Sequence, residues 1–96
     1  MSKTVPLSKP LQTHNGEVSS LTFRDVDAQD IVTMRTPPVR FVEVNGENHA
    51  EFRYDIIMQL ASRLCGVDDI LLGKLKAKDF HVVSQAVLAQ WNASGE

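Results

Sequence analysis

Three histidines, one cysteine and one pair of adjacent aspartates are the residues of this chain whose types could support metal binding or catalysis. Such sites need these side chains brought together, and on a helix a pair of ligands one turn apart, at i and i+4, is the local sign of it. His14, His49 and His81 stand in three separate segments, and no two share that spacing. They read as solvated surface histidines, so no metal is expected. Cys65 falls at the end of an apolar helical stretch, where a thiol acts as a small hydrophobe with an undepressed pKa rather than as a nucleophile. Asp68 and Asp69 open a short helical stretch, where acidic side chains cap free backbone amides more often than they do acid–base work. Gly66 and Gly73 have neither the spacing nor the lysine of a phosphate-binding loop. The chemistry therefore points to a chain with no catalytic residues, no cofactor and no reaction of its own.

The bulk properties agree with a binding role. Ninety-six residues with 43% apolar and 23% charged content make one small globular domain, residues 1–96. Ten Lys and Arg against 12 Asp and Glu give a formal charge of −2, and no basic run offers the footprint that phosphate backbones require. Nucleic acid and membrane are thus not expected as partners, since no apolar run approaches the roughly 20 residues that span a bilayer. A lone cysteine and an opening without a charged and then apolar leader fit a reducing cytoplasm.

The elements follow from periodicity and punctuation. Apolar residues at 5, 7 and 11, the Asn15-Gly16 pair and the run Val18 to Phe23 predict a β-hairpin over residues 1–24, with Pro6 and Pro10 confining the first strand to an edge. A three-residue loop from His14 to Gly16 would pair Leu7 with Phe23 and gather Val5, Leu7, Leu11, Leu21 and Phe23 on one face. Asp27 caps a short helix over 27–35 that Thr36-Pro37-Pro38 must stop. Residues 36–47 read as extended, either a third short strand or only a loop, with Asn45-Gly46 turning the chain. From Asn48 or His49 to Cys65 the expectation is a long helix, opened by a capping box of Asn48 with Glu51 and closed by Gly66. Its apolar residues cover roughly 200° of the circumference, enough to be buried on two sides, although Phe52 lies on the polar side. A short helix capped by Asp68 and a last helix from about Ala77 or Asp79 to Trp91 or Asn92, with Phe80, Val83, Val87 and Trp91 on one stripe, complete a helical part over 48–92. The expected class is α+β: a hairpin followed by a small bundle of three to four helices.

Once that core is assigned, apolar surface is left over. Tyr54 and Met58 at the margin of the wide arc and Val82 on the back of the last helix are the candidates for a partner-binding face, because tyrosine and methionine tolerate alternative packings. An alternative is a small DNA-associated regulator using the C-terminal helix pair, although the last helix contains no arginine to read base edges.

Three stretches carry a resemblance: Val5-Pro6-Leu7-Ser8-Lys9-Pro10, Ser20-Leu21-Thr22-Phe23-Arg24 with Asp30-Ile31, and Leu60-Ala61-Ser62-Arg63-Leu64-Cys65-Gly66 through Leu75, Asp79-Phe80 and Val83 to Trp91. Together they resemble the tail assembly chaperones of Mu-like and P2-like contractile-tailed phages. The segment Thr33 to Tyr54 departs from the pattern, and Gln29 stands where that family often has glycine. The resemblance implies a non-enzymatic factor of the bacterial host cytoplasm, encoded by a phage or prophage and absent from the mature virion. Its implied partner is the tape measure protein, kept soluble until the tail tube polymerises. Tail tube protein, a longer frameshifted form of the same chain and a homo-oligomer are the further partners it leaves open.

Overall fold

In the computed structural model, which describes residues 2–93, the chain runs β1 (Lys3–Thr13), β2 (Gly16–Phe23), α1 (Ala28–Met34), β3 (Val39–Val44), β4 (Glu47–Phe52), α2 (Tyr54–Cys65), α3 (Asp69–Leu72) and α4 (Ala77–Ala93). It is an α+β fold: an N-terminal antiparallel hairpin, a second hairpin and four helices. Phe23, Ile57, Leu60, Leu72, Val83 and Val87 are fully enclosed at its centre. Burying each such side chain contributes about 2 kcal/mol.

The first hairpin has the expected position but a different register. Thr13 faces Gly16 across a two-residue turn of His14 and Asn15, and Val5, not Leu7, lies beside the core-facing end of β2, opposite Leu21. The Thr13 hydroxyl fixes this turn, donating to the Gly16 carbonyl at 2.6 Å and accepting from the Asn15 amide at 3.2 Å. Between the pairs Pro6–Ser20 and Leu11–Val18, Leu7 to Pro10 stand opposite Ser19 alone, so the strand bulges. Pro10, inside the bulge, has no amide proton to offer the ladder. The freed Ser8 amide donates instead to the Asp79 carboxylate of α4, at 3.0 and 3.2 Å, and the Ser8 hydroxyl adds a bond at 2.9 Å. The bulge thereby returns Leu11 to the core and leaves Leu7 half-buried. Chiefly through the Ser8 amide, these bonds hold the Asp79 carboxyl below the usual range.

Asp27 caps α1 as expected, accepting from the Asp30 amide at 3.0 Å while Asp30 accepts from the Asp27 amide at 2.9 Å. Arg35, in the left-handed region at φ 62°, ends the helix before the prolines. Asp30 does more than cap. Its carboxylate is fully buried and accepts from both terminal nitrogens of Arg24 at 2.7 and 2.9 Å and from Nε of Arg63 at 3.0 Å. Arg24 leaves β2 and Arg63 belongs to α2, so one carboxylate joins three elements. Gln90 of α4 reaches the same junction, donating to the carbonyls of Phe23 and Arg24 at 3.1 Å each.

The long helix starts later than the sequence suggests. Residues 47–52 form β4, and α2 begins at Tyr54, so the expected Asn48–Glu51 capping box does not exist and Arg53 precedes the helix without a side-chain cap. Phe52 is no longer an anomaly, because it is a strand residue and never on the wheel. From Tyr54 on, the wide apolar arc holds: Ile56, Ile57, Leu60, Ala61 and Leu64 are buried, and α2 packs against β2, α1, α3 and α4. Gly66 closes α2 at φ 75°, and Asp68 caps α3 by accepting from the Ile70 amide at 3.0 Å.

Removing Asp30 leaves two guanidinium groups without their shared partner, and urea titration of Asp30→Ala should show a loss of about 3 kcal/mol at neutral pH, at the low end for a broken buried pair because both arginines are partly exposed. The Arg24 guanidinium above all, against the cost of burial, holds the Asp30 carboxyl well below the usual range. A depressed folded-state pKa stabilises fully above the unfolded value of about 4 and is lost as pH falls toward the folded value. Wild-type stability should therefore fall more steeply than that of Asp30→Ala as pH drops below about 5.

Candidate partner-binding surface

The second hairpin is built by an Asn45-Gly46 turn with both residues at positive φ, 53° and 80°, the conformation that matches the twist of two flanking strands. Val39 faces Phe52, Phe41 faces Ala50 and Val42 faces His49. Its base is closed by the Arg53 amide donating to the Pro38 carbonyl at 2.9 Å, and Arg40 and Glu51 pair across the strands at 2.9 Å. Unlike the first hairpin, it contributes nothing to the core. Every residue of β4 is exposed, and so are four of the six in β3. Phe41 is 73% exposed, Val44 49% and Phe52 48%. A two-stranded ribbon is marginal in water without a face to pack on, and this one is an arm on which Phe41, Val44 and Phe52 are about half or more exposed.

An aromatic series leads from that arm to the helical body. The Phe52 and Tyr54 rings lie 6.4 Å apart and the Tyr54 and Phe80 rings 6.2 Å apart, both tilted, within the range of favourable aromatic contacts. Beside them Phe52, Tyr54, His81, Ser84, Gln85 and Leu88 line a shallow groove of 210 Å³. Two polar ends, Ser84 and Gln85, sit among apolar walls, but Ser84 already donates to the Phe80 carbonyl at 2.8 Å.

The three residues singled out from the sequence have separate fates. Tyr54 is half exposed and central to the aromatic series. Met58 is half-buried and packs against the core one turn along α2 from Tyr54. Val82 is 47% exposed but stands two residues from Phe80, about 200° around α4, and does not line the groove. Sequence reasoning missed Phe41, Phe52 and Val44, the most exposed apolar residues of the arm. The β-branched and aromatic run Val39 to Val44, followed by the Asn45-Gly46 turn, was the signal that could have found them.

The titratable candidates remain apart. His14 is in the first turn, His49 is on β4 and His81 is at the groove. Among the described residues no group of three or more His, Cys, Asp or Glu could hold a metal ion. Burial pushes the half-buried Cys65 thiol up, away from the thiolate. The Asp68 carboxyl is held down, foremost by the Ile70 amide it caps. Among the described residues no helix is long and apolar enough to cross a membrane.

No family model matches the chain, and neither a curated protein nor a solved structure matches it. The distinction between core and spare apolar surface is measurable in its own right. Phe41→Ser and Val82→Ser should change unfolding free energy by no more than about 0.5 kcal/mol, as exposed positions do. Leu60→Ala, at a fully enclosed site, should lose about 3 kcal/mol in the same denaturant titration.

Proposed function

We propose that this chain is a tail assembly chaperone of the Mu-like and P2-like kind, which binds the tape measure protein through apolar helical segments and keeps it soluble until the tail tube polymerises. The observation that carries this reading is the uncovered apolar arm with its aromatic continuation: Phe41 and Phe52 on β3 and β4, then Tyr54 and Phe80. An amphipathic helix laid along a groove is held by apolar anchors at intervals of one turn, and aromatic anchors carry most of the affinity in such contacts. A chaperone must release its client, and a shallow, half-polar groove beside a marginal ribbon suits a reversible hold better than a deep pocket does.

The resemblance supplies the identity of the client, and the polar junctions support it indirectly. The stretches that carry the likeness meet in space, since Ser8 of the first stretch bonds Asp79 of the third, and Arg24 and Asp30 of the second bond Arg63 of the third. In this reading the protein acts in the cytoplasm of a bacterial host, needs no cofactor, catalyses no reaction and is left out of the finished virion. Tube protein and a longer frameshifted form are its further partners.

Coexpression with a tape measure protein, followed by affinity capture and a solubility assay, tests the proposal. The expected result is copurification and a larger soluble fraction of the client, with Phe41→Ser, at a 73% exposed position, weakening capture about tenfold while the variant keeps its melting temperature. Client solubility that is unchanged by the wild-type chain, with no copurification, contradicts it.

A further inference from the structure

At the corner between the first turn and the start of α4 lies a cleft of 640 Å³, open on one side. Leu11, Leu71 and Leu75 give it apolar walls, and Lys9, Lys74 and Lys76 surround them, with no carboxylate among the lining residues. Its volume is in the range of pockets that enclose a drug-sized ligand, and so accommodates a tight turn with its flanking side chains. All three lysines are exposed. Three of the chain's ten Lys and Arg line this cleft, while the Asp79 carboxylate at its edge is occupied by the Ser8 amide and hydroxyl.

The tip of the second hairpin is the converse surface. Arg40 is consumed by Glu51 at 2.9 Å near the base, which leaves Glu43 and Glu47 as the charges beside the Asn45-Gly46 turn. His49 Nε2 lies 3.7 Å from Glu47. Val44, 49% exposed, sits between the two glutamates in sequence and directly across from Glu47. An acidic turn with an apolar side chain thus matches a basic cleft with apolar walls. Among the described residues the tip of the arm is exposed on both strands, although a two-stranded ribbon gains its stability from what covers it.

We propose that the tip of the second hairpin of one copy enters the Lys9, Lys74 and Lys76 cleft of a second copy of this chain. The two surfaces differ, so the contact is head to tail, and repetition gives a ring or an open row rather than a symmetric dimer. Glu43 and Glu47 meet the lysines, and Val44 lies against Leu71 and Leu75. Phe41 and Phe52 share a face with Glu43 but stand nearer the base of the ribbon, so the tip can be enclosed while both rings stay free for the client-binding reading. In a row of copies those faces repeat, and a long helical client would be held at several points at once. Charge pairing of this kind sets orientation and association rate, so the contact weakens with salt.

Sedimentation velocity of the full chain tests this. At low ionic strength the wild-type average mass should rise with concentration, and the apparent dissociation constant should rise about tenfold or more on moving to high salt. Glu43→Lys/Glu47→Lys and Lys74→Glu/Lys76→Glu alter exposed positions only, so both variants should keep the wild-type melting temperature and lose self-association. Mixed in equal amounts, the two should associate again, because each then meets the opposite charge. The proposal is overturned by a wild-type chain that stays monomeric at every concentration in low salt. It is equally overturned by association that salt and both variants leave unchanged, or by a mixture that fails to restore it. A monomeric chain whose lysine cleft instead shifts duplex DNA would also overturn it. The wild-type salt series needs no variant and so stands even where a substitution lowers the melting temperature.

Discussion

A buried carboxylate between two arginines fixes how the parts of this small fold meet. Asp30 sits in the first turn of a seven-residue helix, too short to be stable by itself, yet its oxygens are held by Arg24 from β2, by Arg63 from α2 and by the backbone amide of Asp27. Burying a charge costs several kcal/mol unless partners surround it, and here the partners come from different elements, so the cost is offset only when all of them are in place. The junction is therefore a condition on the tertiary arrangement and not merely a local cap. Gln90 extends it to α4, and the Ser8–Asp79 bonds fasten the other end of α4 to β1.

With the first hairpin, α1, α2, α3 and α4 joined in this way, the apolar core closes without any help from residues 39–52. Phe23, Ile57, Leu60, Leu72, Val83 and Val87 need nothing further over them. The second hairpin is for that reason a separate commitment of the sequence: fourteen residues from Val39 to Phe52 that stabilise the monomer little and present Phe41, Val44 and Phe52 to solvent. Single exposed hydrophobes are ordinary, but several on one ribbon, continued by Tyr54 and Phe80 across the helical body, form a surface with an orientation.

Much of this was legible in the residues. The α+β class, the caps at Asp27 and Asp68, the stop at Thr36-Pro37-Pro38, the Gly66 terminus and the apolar face of α2 all follow from local chemistry that the tertiary structure leaves unopposed. What was not legible depended on distant partners. The first hairpin's register turned on a bulge whose freed amide is satisfied by Asp79, some seventy positions away, and no local pattern announces that. Asp30 and Gln90 look like ordinary polar helix residues until Arg63 and the Phe23 carbonyl are brought to them. Residues 47–52 are the instructive miss. Glu47, Asn48, His49, Ala50 and Glu51 suit a helix start, and Asn48 with Glu51 imitates a capping box, yet the type of turn demanded by Asn45-Gly46 carries the chain back along β3. Phe52, on the wrong side of the wheel, was the residue that disagreed. Of the candidate surface residues, Tyr54 lies in the aromatic series, Met58 packs half-buried against the core and Val82 lies on a different face, because the exposed apolar surface is organised around a strand pair where the sequence suggested a helix.

Hydrogen–deuterium exchange at residue resolution, on dilute monomer alone and with an apolar helical fragment of a tape measure protein, tests most directly whether residues 39–52 are left for another chain. In the free chain the paired amides of β3 and β4 should exchange far faster than those of β1 and β2, since local opening exposes nothing the core needs. On adding the fragment, protection should rise in β3, β4 and the start of α2. Equal protection of the two hairpins in the free monomer, with no change on adding the fragment, would contradict the account.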